Sequence, residues 1–152
     1  MTKVAVTGGA GFIGSNLTKR LLLEGYEVVV IDDLSTGLHS NVDQDNSIFH
    51  QISITDSKSL TTALKDCETI FHLAARGSVP RSLKNPVATH EVNATGTLNV
   101  LEVARATGAH VVFSSSSSVF LYSANEEPFK IKEPVKIPLT IKKGIKIRTK
   151  LA

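Results

Sequence analysis

A short β-forming run, Lys3–Thr7, leads directly into Gly8-Gly9-Ala10-Gly11-Phe12-Ile13-Gly14, and apolar residues at helical spacing follow. No other feature of the 152 residues restricts the fold as strongly. A strand that turns through glycines into a helix presents the helix's first N–H groups to whatever lies above the turn. Gly9-x-Gly11-x-x-Gly14 fits the glycine spacing of dinucleotide-binding turns, and Gly8-x-x-Gly11-x-x-Gly14 fits a variant of it. The first glycine permits the tight turn. Gly11 leaves bare backbone for a pyrophosphate to approach, and Gly14 lets the helix lie close to the sheet. Phe12 and Ile13 fall in the first helical turn, where free donors and a partial positive charge favour phosphate. A P-loop is excluded: Gly9 and Gly14 are correctly separated, but Ser15 stands where the lysine is required.

The rest of the body alternates strands and helices. Phe12–Glu24 is apolar at Phe12, Ile13, Leu17, Leu21 and Leu22, and Gly25 stops it. Glu27–Ile31 reads as a strand buried on both faces. Asp33–Ser47 is polar and reads as a loop; Ile48–Ile54 reads as a third strand. A short helix is expected over Asp56–Asp66, with Asp56 or Ser57 as N-cap. Thr69–Leu73 and His110–Phe113 are the fourth and fifth strands. Between them, Pro86–Thr107 reads as one long helix, with Gly108 beyond its end. Such alternation predicts an α/β fold, a Rossmann-type doubly wound parallel sheet covered on both faces.

The second strand ends at Asp32-Asp33, with Asp32 eighteen residues after Gly14. A carboxylate there accepts hydrogen bonds from ribose hydroxyls and repels a 2′-phosphate. No arginine follows in Leu34-Ser35-Thr36-Gly37, so the expected cofactor is NAD rather than NADP.

Charge divides the chain in two. Residues 1–129 hold nine Lys/Arg against thirteen Asp/Glu, a net of −4; residues 130–152 hold eight Lys/Arg against one acid, Glu133, a net of +7. The basic tail has no aromatic to stack on bases, which argues against a nucleic-acid partner. No apolar run approaches the roughly 18 residues of a membrane span, and no signal peptide is evident. The single Cys67 permits no internal disulfide, so a cytoplasmic setting is expected. The five histidines show no metal-type pairing.

Five ordered segments resemble the extended short-chain dehydrogenase/reductases, in particular the NAD-dependent epimerase/dehydratase group acting on nucleotide sugars. They are Thr7–Gly14, Asp32–Gly37, Phe71–Ala75, Ser78–Ser82 with Asn93–Thr97, and Phe113–Val119. The Ser-Val-Pro-Arg-Ser stretch and the serine run most resemble UDP-glucose 4-epimerases. The resemblance implies that Asp33, Ser35, Thr36 and Gly37 accompany Asp32 at the cofactor. It implies that Phe71, Leu73, Ala74 and Ala75 line the dinucleotide, and that Ser53-Ile54 stand near the adenine where the family has Asp-Ile. Asn93 would pin the long helix to the site, Ser114 would approach the nicotinamide, and Ser116 would be the catalytic serine. A nucleotide-sugar substrate and a homodimer through the 86–107 helix are likewise implied. His72 reads as a core histidine. Gly96, costly inside a helix, is expected to face another backbone.

The family's chemistry also needs Tyr-x-x-x-Lys about 25 residues after the serine, in which the tyrosine is the general base. Here Tyr26 stands upstream and Tyr122 is followed at that offset by Glu126. The tail aligns in two ways, with Lys142 and Lys146, or Lys146 and Lys150, at the pair's positions; either puts a lysine in place of the base. The expected organisation is an NAD-binding domain over 1–120 and an atypical Lys/Ile-rich tail over 121–152, from a frameshifted or truncated gene, lacking the C-terminal substrate domain. A non-catalytic NAD-binding module or redox sensor is the alternative; an unstable remnant is a third.

Overall fold

Valines and isoleucines dominate the central strands because both sides of those strands are covered. The computed structural model describes residues 1–114. Five strands, β1 (Lys3–Thr7), β2 (Glu27–Ile31), β3 (Ile48–His50), β4 (Thr69–His72) and β5 (His110–Phe113), form one parallel sheet in the order β3-β2-β1-β4-β5. Five α-helices are described: α1 (Phe12–Leu23), α2 (Ser57–Leu64), α3 (Val79–Lys84), α4 (Pro86–His90) and α5 (Thr97–Thr107). Side chains alternate across the sheet. Ala5, Val29, Ile31, Ile70 and Val111 face Leu60 and Leu64 of α2 and Val100, Val103 and Ala104 of α5. Val4, Val6, Val28 and Val30 face Leu21 of α1 on the opposite side. Each such buried Val, Leu or Ile contributes about 1.5–3 kcal/mol of transfer free energy.

The chain winds outward from β1 through β2 to β3, then returns to place β4 on the other side of β1. Loops leaving β1 and β4 therefore diverge, opening a crevice at the carboxyl ends of the strands. Register puts Thr7 beside Ile31 on one side and beside His72 on the other.

Several elements differ from the sequence expectation. The third strand stops at His50 rather than Ile54, because Ile52 N–H turns back to the His50 carbonyl at 3.0 Å and Ile54 is buried in the core. The loop after β2 contains a 3₁₀ turn, His39–Asn41. Helix α3 has no counterpart in the sequence expectation. The long helix is interrupted by a π-helical segment, Glu91–Gly96. Gly96 packs against a side chain and not a backbone: a Cβ there would lie 2.6 Å from Ile54 Cδ1. Asp56 caps α2 by accepting from Ser59 N–H at 3.1 Å. Among the described residues no helix is long and apolar enough to cross a membrane.

Candidate cofactor-binding site

The crevice begins with the glycine turn. Gly8 has φ +74°, a region L side chains avoid, and donates its N–H to the Ile31 carbonyl at 2.7 Å. A Cβ on Gly14 would collide with the Gly8 carbonyl oxygen and lie 2.7 Å from Gly9 Cα, so only glycine lets α1 start this close to the sheet. Gly11 is the N-cap and offers no side-chain hydrogen bond, and no acid occupies the first turn. The first N–H groups of α1, at Phe12, Ile13 and Gly14, thus lack an intrahelical partner and point out of the helix end. This arrangement suits an anion. The side chains of Phe12 and Ile13 are exposed and do not line the crevice, so what these two residues offer there is backbone N–H.

The opposite lip is built around Asp32, at the end of β2. Its carboxylate accepts from Ala10 N–H at 3.0 Å and Leu34 N–H at 2.8 Å. The Ala10 carbonyl in turn accepts from Leu38 N–H at 3.2 Å and the Asn41 side-chain amide at 2.9 Å. The buried Ala10 peptide is thus clamped on both sides by the loop after β2. Asp33 accepts from Ser35 N–H at 2.9 Å, and these two aspartate turns hold Leu34 at φ +60°. Gly37 sits close to Ala10 and to Asp32 Oδ1. Each Asp32 oxygen keeps a free lone pair, so the carboxylate can hold the turn and still accept a ribose hydroxyl.

The β4 wall closes the third side. Thr7 Oγ accepts from Leu73 and Ala74 N–H, 3.3 Å each. Asn93, in the π-helical segment, accepts from Arg76 N–H at 2.7 Å and donates to the Arg76 carbonyl at 3.0 Å. Asn99 donates to the carbonyls of Ile54 and Thr55 at 3.0 and 3.2 Å, fixing the loop after β3 to α5.

Ten of the residues expected at the cofactor line this crevice: Gly8, Gly11, Asp32, Asp33, Ser35, Thr36, Ile54, Leu73, Ala74 and Ala75. Gly14, Gly37 and Asn93 stand behind it as packing or clamp. Ser53 is engaged locally, its hydroxyl 2.9 Å from that of Thr55. Ser114 follows β5, its N–H 3.4 Å from the His72 carbonyl. Phe71 packs instead in the cluster under α1, on the other side of the sheet. Ser116 and the tail with Lys142, Lys146 and Lys150 lie outside the described residues. Ile31, Ile52, Arg76 and Val92 also line the crevice, beyond those the sequence points to. Asn41 and Asn99 escape sequence reasoning as well; a lone Asn inside a helical pattern is the only signal for Asn99.

An open parallel α/β sheet with an uncapped helix start facing an aspartate at its switch point defines a dinucleotide-binding class of domain. The model of the NAD dependent epimerase/dehydratase family matches residues 4–140, and the chain belongs to that family. UDP-glucose 4-epimerase of Mycolicibacterium smegmatis is 44% identical over 126 residues, covering 79% of this chain and 40% of that protein. UDP-glucuronic acid decarboxylase 1 of Danio rerio is 36% identical over 119 residues, covering 78% of this chain and 28% of that one. The Thermus thermophilus UDP-glucose 4-epimerase, solved as a complex with NAD, superposes with a TM-score of 0.72 at 40% identity over 76% of this chain and 38% of its own. The chain spans less than half the length of these relatives.

Proposed function

We propose that this chain is the NAD-binding portion of a nucleotide-sugar epimerase or dehydratase of the UDP-glucose 4-epimerase-like kind, and that these residues alone bind NAD without turning substrate over. One observation carries the reading: the uncapped N-terminus of α1 faces Asp32 across the crevice, giving phosphate donors and a ribose acceptor in one cleft. NAD bound there would supply a reversible hydride acceptor. The protein's part would be to hold the pyrophosphate on the first N–H groups of α1 and the ribose on Asp32. Ile52, Ile54 and Val92 would give the adenine an apolar seat. Ser116 would hydrogen-bond the reacting sugar hydroxyl.

The inactivity rests on the general base. Neither Tyr26 nor Tyr122 has a lysine four residues later, and a lysine of ordinary pKa at the base position is already protonated. The same lack favours the second reading, a binding module whose basic tail meets a partner. The exposed Val87 and Leu98 on the helical stretch 86–107 support a homodimer through that face. The sequence holds one cysteine, Cys67, and so no internal disulfide, which is the ground for a reducing, cytoplasmic setting.

Calorimetry of the full chain with NAD, followed by an assay with UDP-glucose and UDP-galactose, tests the proposal. Saturable binding without product is expected. Cofactor-dependent product overturns the inactivity, and absence of binding overturns the assignment. A partner lost on deleting residues 130–152 distinguishes the module.

A further inference from the structure

His72 ends β4 with a side chain 1% exposed, yet both ring nitrogens have partners. Nδ1 lies 2.7 Å from Thr7 Oγ, and Nε2 lies 2.9 Å from Thr97 Oγ. The protons can be placed by elimination. Thr7 Oγ accepts from Ala74 N–H and, shared with the Thr7 carbonyl at 3.1 Å, from Leu73 N–H, and among the described residues His72 Nδ1 is the one acceptor within reach of its own proton. The imidazole, if neutral, then carries its proton on Nε2 and donates to Thr97 Oγ. Thr97 passes its proton to the Asn93 carbonyl at 2.8 Å. The side-chain amide of the same Asn93 separately clasps the N–H and the carbonyl of Arg76. The series therefore runs in one direction, from the Ala74 amide through Thr7, His72 and Thr97 to the Asn93 backbone carbonyl.

We infer that His72, as the Nε2–H tautomer, is a positioning residue for the dinucleotide cleft: through Thr7 and Thr97 it sets the spacing of β1, β4 and the π-helical segment, and so places the wall from Leu73 to Arg76. Neither His72 nor Thr97 lines the cleft, so their influence on a ligand has to pass through Leu73, Ala74 and Arg76, which do. Burial pushes the His72 pKa down to about 4, which keeps the ring neutral near pH 7 as the proton order requires. The Phe113 ring stacks on the imidazole with centroids 5.6 Å apart and blocks a flip that would exchange its nitrogens. A π-helical turn at this point also fits, since such turns recur where a helix must present groups to a site.

The inference rests on the NAD-binding reading above. Its test uses the full chain, with Thr97→Ser, which keeps the hydroxyl, and Thr97→Val, which keeps the shape and removes it. Val103→Ala, a core truncation away from the cleft, serves as a stability control. NAD affinity within about twofold of the parent is expected for Thr97→Ser and for Val103→Ala, and a loss of about tenfold for Thr97→Val, the size of one hydrogen bond. Nitrogen-15 spectra of the unmodified protein should show His72 Nδ1 unprotonated and Nε2 protonated. Parent-like NAD affinity in Thr97→Val, or a proton on Nδ1, would overturn the inference while leaving NAD binding intact. No NAD binding by the unmodified chain would remove both this inference and the reading beneath it.

Discussion

Two walls of one cleft are held in different ways. The glycine wall, formed by the turn after β1 and the loop after β2, depends on what is absent: no Cβ at Gly8 or Gly14, and no side-chain cap at Gly11. Its acidic ties are Asp32 and Asp33, clamped to backbone N–H groups. The β4 wall depends on what is present, a series of uncharged polar groups that runs from buried Thr7 and His72 through half-buried Thr97 to the backbone carbonyl of exposed Asn93. The first wall leaves donors free for a ligand. The second spends the side-chain donors of Thr7, His72, Thr97 and Asn93 on internal hydrogen bonds, and its product is shape. A binding cleft thus combines a reactive side, kept unsatisfied, with a rigid side, kept satisfied.

This contrast can be broken at four points. The largest effect is expected at Gly14. A Cβ there meets backbone on two sides, so Gly14→Ala should lower stability by about 3 kcal/mol and abolish NAD binding. Urea unfolding would show the midpoint falling with an unchanged slope. A Gly14→Ala protein as stable as the parent would mean that this wall is not limited by backbone contact.

The β4 wall should respond to acid. His72 has an ordinary pKa of 6.5 in the unfolded chain and about 4 when folded, because burial disfavours its charged form. Below pH 6.5 the unfolded chain therefore binds the proton that the folded one refuses. The stability tied to neutral His72 is complete above about pH 6.5 and is lost as the pH falls towards 4, by up to about 3 kcal/mol. His72→Gln should be less stable near pH 7 and should flatten this part of the profile. An equally steep profile in His72→Gln would place the acid sensitivity elsewhere.

Asp32→Asn comes next, with a ten- to hundredfold loss of NAD affinity on the order of a charged hydrogen bond. Removing the negative charge should also narrow the preference for NAD over NADP in paired titrations. The smallest effect is a gain. Thr18 of α1 is buried, and its hydroxyl has no partner among the described residues. Thr18→Val should raise stability by about 1 kcal/mol with NAD affinity unchanged, which shows that this helix can be stabilised without touching its donor end.

The glycine wall was legible in the sequence because its devices are local. Gly8, Gly11 and Gly14 lie within one turn, and Asp32 follows at the end of the next strand. The β4 wall was less so. His72 and Thr97 stand 25 residues apart, and Thr7 and His72 stand 65 apart. Each residue alone is an ordinary strand or helix position, and only the sheet register brings Thr7 beside His72. The interruption of the long helix is marked by no proline or glycine between Val87 and Thr95, so residue type alone gives no break there. Sequence pattern alone makes Ile54 the end of a strand. Its actual place depends on Gly96, forty-two residues later, which leaves room for its side chain.

The most direct test is an amide NMR titration of the full chain with NAD. Saturable shifts at Gly8, Gly11–Gly14, Asp32–Gly37 and Leu73–Arg76 are expected, with the rest of α2 and α5 quiet. Shifts that do not saturate, or that saturate on a surface away from these residues, would contradict NAD binding in this cleft.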